Sequence, residues 1–325
     1  MQKTVLHLAR RSAPDIGGVE SHLSQLTPEV EKLGYHSNIL NEAMLLEQWS
    51  WLPSHKLAIW LGMIAHLPAL VHTSIIHVHD VFWWLLPFLP LLWRKRIYIT
   101  FHGYESVAGP SFRQRFWHRL AAHLTKGNIC IGQFHESWYG VKPNATSYGA
   151  VTAVEKAHRK PRSAKVVFVG RLAPDTGFRL YLEAVRLIQE RGGHIELDVF
   201  GEGSERPWAE AYCKLHALPV HFFGFVPNAQ LQIGEYSCVF ASQYLAILES
   251  LAVGVPIIAC ATTLFKQAYL RDTPFASWIA ITTTPEKIMI AYNKHQPLST
   301  KASIWIRSQT WTLLAQQYDS LWSSR

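Results

Sequence analysis

Cysteine and charged residues are both scarce in this chain of 325 residues. The charged share is 17% and the hydrophobic share 49%, so a large core is expected and disorder is not. The few cysteines show no Cys-x-x-Cys spacing, which excludes a disulfide framework and favours buried side chains in a reducing compartment. The length suits two domains of about 150 residues each. The four cysteines are Cys130, Cys213, Cys238 and Cys260.

The motifs of several function classes are missing. We find no nucleic-acid-binding motif, and the basic residues are spread along both halves of the chain. The dinucleotide fingerprint Gly-x-Gly-x-x-Gly is also missing, because "GEGSER" has Arg206 at the third glycine position. Nicotinamide chemistry is therefore disfavoured. The start of the chain, "MQKTVLHLARRSAP", is a strand-sized apolar run followed by charge, and we expect no signal peptide.

A membrane-spanning helix is not expected either. The uncharged run 57–79 is long enough, but it contains Pro68 and four histidines and ends as a strand. A buried helix followed by a strand is therefore favoured. The next stretch, "VFWWLLPFLPLLWRKR" (81–96), is too short to span a bilayer. Its tryptophans and cations suit an anionic membrane surface, but filling of the N-terminal core explains the tryptophans equally well.

The net charge of +8 suits an anionic partner, either a phosphorylated small molecule or a lipid head group. Nucleic acid is the weakest of the candidate partners. Histidine is abundant, and twelve of the 17 histidines precede residue 151. The sequence alone offers no physical reason for this excess.

Apolar strand-like runs alternate with helix-period segments along the chain, which predicts an α/β fold of parallel sheets covered by helices. The alternation is interrupted at 150–164, a polar and basic segment that we interpret as a linker. We expect two doubly wound Rossmann-like domains facing each other across a cleft, 1–149 and 165–325. The last helix, about 305–323, is expected to pack back on the N-terminal domain. The predicted strands are 4–9, 37–40, 75–79, 97–102, 128–132, 165–170, 195–201, 220–224, 238–242 and 256–260.

Two predicted strand ends carry groups that suit phosphate. Gly17 and Gly18 precede a helix whose N-terminus favours an anion, although a plain strand–helix turn explains the pair equally well. Arg171 follows a strand at the mouth of an open sheet, where it could clamp a diphosphate. Taken alone, a surface arginine is the simpler interpretation.

Histidines and one carboxylate occur at further strand ends. His77 and His79 share one face of a strand, but their spacing fits no metallohydrolase motif, and we expect no metal site. His102 ends a strand where the sites of α/β proteins usually lie. Glu249 lies early in the predicted helix "AILESLAV", where a carboxylate either caps backbone amides or binds the hydroxyls of a ligand.

Taken together, these segments resemble the GT-B glycosyltransferases, specifically the retaining, nucleotide-sugar-dependent family 4. The resemblance covers nearly the whole chain, and its strength is the order of the motifs rather than any single one. The matching stretches are "GGVESHLSQLTPEVEKLGYHSNIL", "IIHVHD", "ITFHGYE", "VVFVGRLAPDTGFRLYLEAV", "LDVFGEGSER", "VHFFGFVPNAQL", "VFASQYLAILESLAVGVPIIA" and "WTLLAQQYDSLW".

The resemblance implies a role for each candidate residue. Glu249 would bind the ribose hydroxyls of the donor nucleotide, and Gly17 and Gly18 would belong to a loop that closes over its phosphates and sugar. Arg171, on the diphosphate, and His102, beside the transferred sugar, are the implied catalytic residues. No metal or other cofactor is expected. The further implied donor-binding residues are Gly170, Thr176, Phe223, Gly224, Ser242, Tyr244 and Leu245, with Phe223 to Phe225 lining the base pocket.

Two positions depart from the family pattern. The family usually has a lysine before the glycine of its Arg-Leu motif, whereas Thr176 precedes Gly177 here. The family also pairs its ribose glutamate with another one eight residues earlier, where this chain has Ala241. One cation and one acid are therefore missing, and Ser242 and Tyr244 are the candidate replacements as sugar contacts.

The resulting expectation is a retaining hexosyltransferase that moves a sugar from a nucleoside diphosphate to the hydroxyl of a cell-surface glycan or a lipid-linked sugar. We expect a cytoplasmic enzyme, peripheral on the inner face of the cell membrane. The missing groups motivate one alternative, a weakly active or inactive nucleotide-binding partner subunit of the same fold. A nucleotide-sugar epimerase is a second, less favoured alternative.

Overall fold

The computed structural model describes residues 3–14, 17–152, 162–294 and 297–324. Asp15 and Ile16, ahead of the glycine pair, and most of the predicted linker lie outside the described residues. The chain forms two compact units. The first comprises Met1–Glu105, Pro110–Tyr148 and Trp311–Arg325, and the second comprises Ser106–Gly109 and Gly149–Thr310.

The first unit contains a parallel sheet of six strands. They are β1 (Lys3–Ala9), β2 (Tyr35–Asn41), β3 (Ile75–His79), β4 (Arg96–Phe101), β5 (Gly127–Ile131) and β6 (Ala145–Ser147). Their order across the sheet is β2-β1-β3-β4-β5-β6. The order reverses between β1 and β3, which is the switch point where open α/β sheets bind ligands beyond the carboxyl ends of their strands.

The second unit repeats this plan with a second parallel sheet. Its strands are β7 (Arg162–Val169), β8 (Glu196–Phe200), β9 (Val220–Gly224), β10 (Tyr236–Phe240), β11 (Ile257–Cys260) and β12 (Ala280–Thr282). They are ordered β12-β11-β10-β7-β8-β9, so the switch point lies between β7 and β10. Both units are thus Rossmann-like, and the predicted α/β class is confirmed.

Helices connect the strands in both units. In the first unit they are α1 (Gly18–Lys32), α2 (Glu42–Leu46), α3 (His55–Ala65), α4 (Leu67–His72) and α5 (Phe112–Leu124). In the second they are α6 (Phe178–Glu190), α7 (Arg206–Leu215), α8 (Gln230–Ile233), α9 (Tyr244–Val253), α10 (Leu264–Arg271), α11 (Pro285–Lys294) and α12 (Thr300–Arg307). The last helix, α13 (Trp311–Ser323), belongs to the first unit.

All ten predicted strands are present, and β3 and β9 have the predicted bounds. Sequence analysis missed β6 and β12, which are three-residue strands at the outer edges of the two sheets. Strands β3 and β5 are buried along their whole length, as expected for a parallel sheet covered on both faces. Their mainly apolar, uncharged character made them easy to predict.

The uncharged run 57–79 forms most of α3, then α4 and β3, as the favoured interpretation predicted. The following segment makes a short 3₁₀ turn, Phe82–Phe88, in which Trp84 is fully buried. Trp93, further along, is 76% exposed. Within the described ranges, no helix is both long and apolar enough to cross a membrane.

Candidate functional site

The candidate donor site of the second unit is built on the loop after β7. The backbone N–H of Gly170 donates to the carbonyl of Phe200 (3.1 Å), and that of Leu172 donates to the carbonyl of Glu202 (2.9 Å). Gly201 allows this approach, because a Cβ atom there would lie 1.8 Å from the carbonyl oxygen of Gly170. The glycines of "GEGSER" therefore hold the Arg171 loop in place instead of forming a dinucleotide turn.

Arg171 is anchored at one point and open elsewhere. Its Nη2 donates to Oδ2 of Asp175 (2.8 Å), and Nε2 of Gln243 donates to the same oxygen (3.1 Å). The Arg171 side chain is nevertheless 68% exposed. A guanidinium has five N–H donors in a rigid fork, so most of them stay available to an anionic ligand at the carboxyl end of β7.

Lys266 is a second cation at this place, and sequence analysis missed it. It lies in the first turn of α10 and is fully buried, with Nζ 4.1 Å from the ring centroid of Tyr269. Burial lowers the pKa of Lys266 to about 7, while the nearby Asp175 carboxylate acts to raise it and Arg171 to lower it. Its position after a strand end was the available signal, but lysines on helices are usually exposed.

Glu249 is the sixth residue of α9, beyond the first turn, so it does not cap the helix. It is half-buried and has no hydrogen-bond partner among the residues that the structure describes. Burial raises the pKa of Glu249 to about 7. A shielded carboxylate without a cation or an amide donor is suited to accept hydrogen bonds from the hydroxyls of a ligand.

The hydroxyl groups of three further candidate residues make hydrogen bonds within the second unit. Thr176 is buried and its Oγ1 donates to the carbonyl of Ala173 (2.8 Å). Ser242 is buried, and its Oγ accepts from the backbone N–H of Cys260 (3.0 Å). The Tyr244 hydroxyl donates to the carbonyl of Tyr269 (2.6 Å). Leu245 is half-buried. The suggested sugar contacts of Ser242 and Tyr244 stay predictions, and both hydroxyls already have partners within the fold.

The implied base pocket lies at the end of β9. Phe223 is 56% exposed and Phe225 is 49% exposed, and they flank the buried Gly224. Gly224 has a φ of 72°, and a Cβ atom there would lie 2.8 Å from Oε1 of Glu202. Exposed aromatic rings beside the loop that supports Arg171 offer a stacking surface for a nucleobase.

In the first unit, Gly17 and Gly18 begin α1. The carbonyl of Gly17 accepts from the backbone N–H of Ser21 (3.0 Å), and the space around Gly18 is open. A Cβ atom at Gly17 would lie 2.3 Å from Oε2 of Glu20, so this carboxylate already occupies the first turn. An anion bound at this N-terminus would have to share its partial positive charge with Glu20.

The neighbouring edge of the first sheet is rich in histidine. His7 of β1 lies opposite His77 of β3, and His79, which ends β3, lies next to His102 across the gap to β4. His79 makes hydrogen bonds to His102 (2.7 Å) and to His7 (3.0 Å). Burial and the neighbouring imidazoles lower the pKa of all four rings, to about 3 for His7, so they are neutral near pH 7. Within the described chain, no group of side chains forms a set that could hold a metal ion.

Asp80 fixes the backbone of His102. It follows β3 in the left-handed region, with φ 61°, and both carboxylate oxygens accept from the backbone N–H of His102 (3.1 and 3.3 Å). Burial raises the pKa of Asp80 to about 7, and the bond from His102 opposes this rise. The His-Asp end of β3 therefore positions the loop after β4.

A second hydrogen-bonded chain joins α13 to this edge. The indole N–H of Trp322 donates to Nδ1 of His77 (2.9 Å), and Nε2 of His77 is bonded to Oγ1 of Thr100 (2.8 Å). Thr100 is bonded to the hydroxyl of Tyr318 (2.8 Å), which is bonded to Nε2 of His22 (3.0 Å). Because an indole can only donate, Nδ1 of His77 accepts, and Nε2 of the neutral His77 donates to Thr100. The hydroxyls of Thr100 and Tyr318 can each donate or accept in the two remaining bonds.

Comparison with known proteins agrees with this architecture. Residues 163–273, in the second unit, match the family model described as "Glycosyl transferases group 1". The glycosyltransferase from Rickettsia africae ESF-5 superposes with a TM-score of 0.72 and 14% identity, over 99% of this chain and 98% of that one. The lipopolysaccharide outer core galactosyltransferase WaaB gives a TM-score of 0.65 and 13% identity, over 98% of each chain.

A putative epimerase also has a similar fold. The putative UDP-N-acetylglucosamine 2-epimerase from Listeria monocytogenes has a TM-score of 0.63 and 12% identity, over 98% of this chain and 95% of that one. A search of curated proteins finds no match. The suspected GT-B fold is therefore confirmed, while at these identities the fold alone does not separate sugar transfer from epimerisation.

Proposed function

We propose that this protein is a retaining glycosyltransferase that moves a hexosyl group from a nucleoside diphosphate to an acceptor hydroxyl. The observation that carries the proposal is the match of residues 163–273 to the group 1 glycosyl transferases, in the unit that holds Arg171 and Glu249. In this proposal Arg171 binds the diphosphate, Glu249 binds the ribose hydroxyls and the Phe223 region receives the base.

The chemistry follows from where charge develops. Negative charge builds on the diphosphate as the bond to the sugar breaks, and the open N–H donors of Arg171 stabilise that charge without an obligatory metal ion. Glu249 supports the opposite end of the nucleotide through neutral hydroxyls. His102, in the first unit, contacts the transferred sugar and is not required to act as a strong base.

Two other functions use the same fold. A nucleotide-binding partner subunit is motivated by Thr176 and Ala241, which replace the lysine and the first glutamate of the resembling family. The buried Lys266 beside Arg171 weakens that argument, because it brings a second cation to the site. Epimerisation is the other candidate, because the putative epimerase from Listeria monocytogenes has a similar fold.

Incubation of the purified protein with UDP-, GDP- and TDP-sugars separates these functions. Transfer or donor hydrolysis releases free nucleoside diphosphate, epimerisation gives a new sugar isomer, and a partner subunit binds nucleotide without either product. A glycan or lipid-linked acceptor supplied with the donor distinguishes transfer from hydrolysis. Exclusive formation of a sugar isomer would replace our proposal with the epimerase.

Replacement of Arg171 by alanine tests the assignment of the diphosphate site. We expect kcat/KM to fall about a hundredfold or more, because the variant loses a contact to the developing charge. The matched control is Arg186→Ala, which removes an arginine of the same unit that pairs with Glu190 on α6. Unchanged turnover in the Arg171 variant, with the control also active, rules out this role for Arg171.

We also propose a peripheral contact with anionic membrane lipids, with the acceptor held at that surface. The segment 81–96 gives partial support. Its inner residues fill the core, but Trp93 is 76% exposed and Leu91 is 56% exposed, with Arg94 stacked on the Trp93 indole. Lys95 is less available, because it donates to the carbonyl of Thr73 (2.8 Å).

A further inference from the structure

The ring of His102 ends a hydrogen-bonded chain of three imidazoles. Nε2 of His102 lies 2.7 Å from Nδ1 of His79, and Nε2 of His79 lies 3.0 Å from Nδ1 of His7. His7 and His79 are buried, whereas His102 is half-buried. The chain therefore runs from the interior of the first sheet to the carboxyl edge of its strands.

Only two arrangements of protons are possible in this chain. Each ring is neutral near pH 7, because burial lowers its pKa, and a neutral imidazole has one N–H donor and one bare acceptor nitrogen. Three neutral rings in a row must all donate in the same direction. Either all three carry hydrogen on Nδ1, or all three carry it on Nε2.

The inner end of the chain distinguishes the two arrangements. Nε2 of His7 is buried and has no hydrogen-bond partner among the described residues. With hydrogen on Nε2, His7 would bury an N–H donor that has no acceptor. With hydrogen on Nδ1, it leaves only an unused lone pair, and the donor at the far end belongs to the half-buried His102. Orphaned buried N–H groups are rare in proteins, so the Nδ1 arrangement is favoured.

From this geometry we infer that His79 and His7 are positioning residues, which hold His102 as the tautomer with hydrogen on Nδ1. His102 then offers an N–H donor to an oxygen atom of the transferred sugar and does not offer a bare nitrogen to a hydroxyl proton. This inference rests on the proposed function. It assigns a purpose to two buried histidines that make no contact with a ligand themselves.

Two neighbouring residues hold the His102 ring in position to donate a hydrogen bond to the sugar. Asp80 binds its backbone N–H, and the ring of His22 stands edge-on to it, with centroids 4.7 Å apart and an interplanar angle of 88°. Nε2 of His22 is hydrogen-bonded to the hydroxyl of Tyr318 (3.0 Å). Neither contact uses the Nδ1 atom of His102, so the tautomer is controlled by His79.

The tautomer can be read directly by nitrogen NMR. The protein labelled with ¹⁵N in its histidine rings is studied at pH 7.5, and the His102 signals are identified by their loss in His102→Gln. We expect a protonated Nδ1 and a bare Nε2. A hydrogen on Nε2, a mixture of tautomers or a charged ring at this pH would overturn the inference.

Two substitutions of His79 then separate positioning from packing. In His79→Asn, the side-chain amide lies at the position of Nδ1 of the imidazole and can still donate to His102. In His79→Gln, the longer side chain places the amide at the position of Nε2, towards His7. We expect His79→Gln to lose the fixed tautomer and to lower kcat about tenfold, with the KM for donor little changed. His79→Asn should keep the tautomer and most of the activity, and the exposed His36→Asn is the control for the substitution itself.

The outcomes distinguish this inference from the proposed function. If the wild-type protein transfers no sugar but His102 carries hydrogen on Nδ1, the positioning holds and the proposed function is wrong. If transfer is observed and both His79 variants retain full activity and the Nδ1 tautomer, His79 has no positioning role. Circular dichroism and the Tm of each variant establish that it is folded.

Discussion

Two ionisable side chains of the second unit, Glu249 and Lys266, have a pKa near 7 because the protein shields them from water. The ordinary pKa of a glutamate lies well below this value and that of a lysine well above it. Small changes in their surroundings therefore change their charge. A bound nucleotide is one such change, since its phosphates carry negative charge and its ribose carries hydroxyl donors.

In the proposed function, the charged carboxylate of Glu249 accepts two ribose hydroxyl donors at pH 8, so Glu249→Gln is expected to weaken nucleotide binding about tenfold at this pH. As pH falls through about 7, protonation of Glu249 weakens wild-type binding, so the difference from the variant shrinks by pH 6. Isothermal titration with nucleoside diphosphate at both pH values measures this. Titration of the phosphates and of Lys266 affects both proteins and cancels in the comparison.

The exposed Glu210→Gln is the control, because it removes a carboxylate of the same unit that pairs with Arg206 on α7. Equal affinity of the wild-type protein and Glu249→Gln at pH 8 would mean that Glu249 does not bind the nucleotide.

Lys266→Met is expected to stabilise the protein at neutral pH. The pKa of Lys266 is about 7 in the folded protein and 10.5 for a lysine exposed to water. At pH values between these two, the unfolded chain therefore binds more protons than the folded protein. Stability therefore rises with pH from about 7 to 10.5, and the penalty for the buried charge is complete below 7. We expect a gain of about 2–4 kcal/mol in the free energy of unfolding at pH 6.5.

Urea unfolding at pH 6.5 and at pH 9.5 measures this effect, and the gain should be smaller at the higher pH. Lys214→Met, at an exposed position of α7, should show no such dependence. A gain that does not change with pH would show that packing, rather than the charge of Lys266, causes the effect.

The helix α13 shows how one element supports another at a distance along the chain. Trp322 and Tyr318 of α13 are buried and bind His77 and Thr100 of the first sheet. The hydroxyl of Tyr35, in β2, also donates to Asp319 of this helix (2.6 Å). The carboxyl edge of the first sheet thus depends on residues that follow the whole second unit in the sequence.

Trp322→Phe tests this dependence. The variant keeps an aromatic ring in the core but loses the indole donor, which leaves Nδ1 of His77 buried without a partner. We expect a loss of about 1–3 kcal/mol in the free energy of unfolding, measured with urea. Trp311→Phe, the same change at the start of α13, has no described hydrogen bond from its indole and should cost less than the Trp322 change. Equal effects of the two substitutions would contradict this role of the indole donor.

Elements of the fold differed in how well the sequence predicted them. Strands buried along their whole length, such as β3 and β5, were found because burial on both faces leaves a mainly apolar, uncharged pattern. The edge strands β6 and β12 were missed, because three residues carry too little pattern. The fold explains part of the histidine excess, since His7, His79 and His102 are far apart in sequence and hydrogen-bonded at one edge of the first sheet. Lys266 and Arg171 are also far apart in sequence, and only the fold shows that they interact.

At the scale of the whole molecule, the net charge of +8 should be visible in membrane binding. We expect the protein to sediment with anionic vesicles at low salt and to be released at high salt, because exposed cations attract anionic lipid. Trp93→Ala should weaken this binding roughly threefold to tenfold, since an interfacial indole is lost. Trp51, which is 73% exposed in the same unit, provides the control Trp51→Ala. Protein that stays in the supernatant at low salt would disprove the membrane contact.

The position of α13 also has a consequence for the order in which the chain matures on the ribosome. The first unit begins at the start of the chain but needs Trp311–Arg325, and the whole of Gly149–Thr310 is synthesised in between. In the usual order of folding, an N-terminal domain folds before the next domain leaves the ribosome. The first unit cannot complete its folding in this order, because α13 is synthesised last. The second unit can finish first, while His22 of α1 and His77 of β3 still lack the partners that Tyr318 and Trp322 provide. A stalled or prematurely terminated chain would then expose the histidine-rich edge to chaperones and proteases.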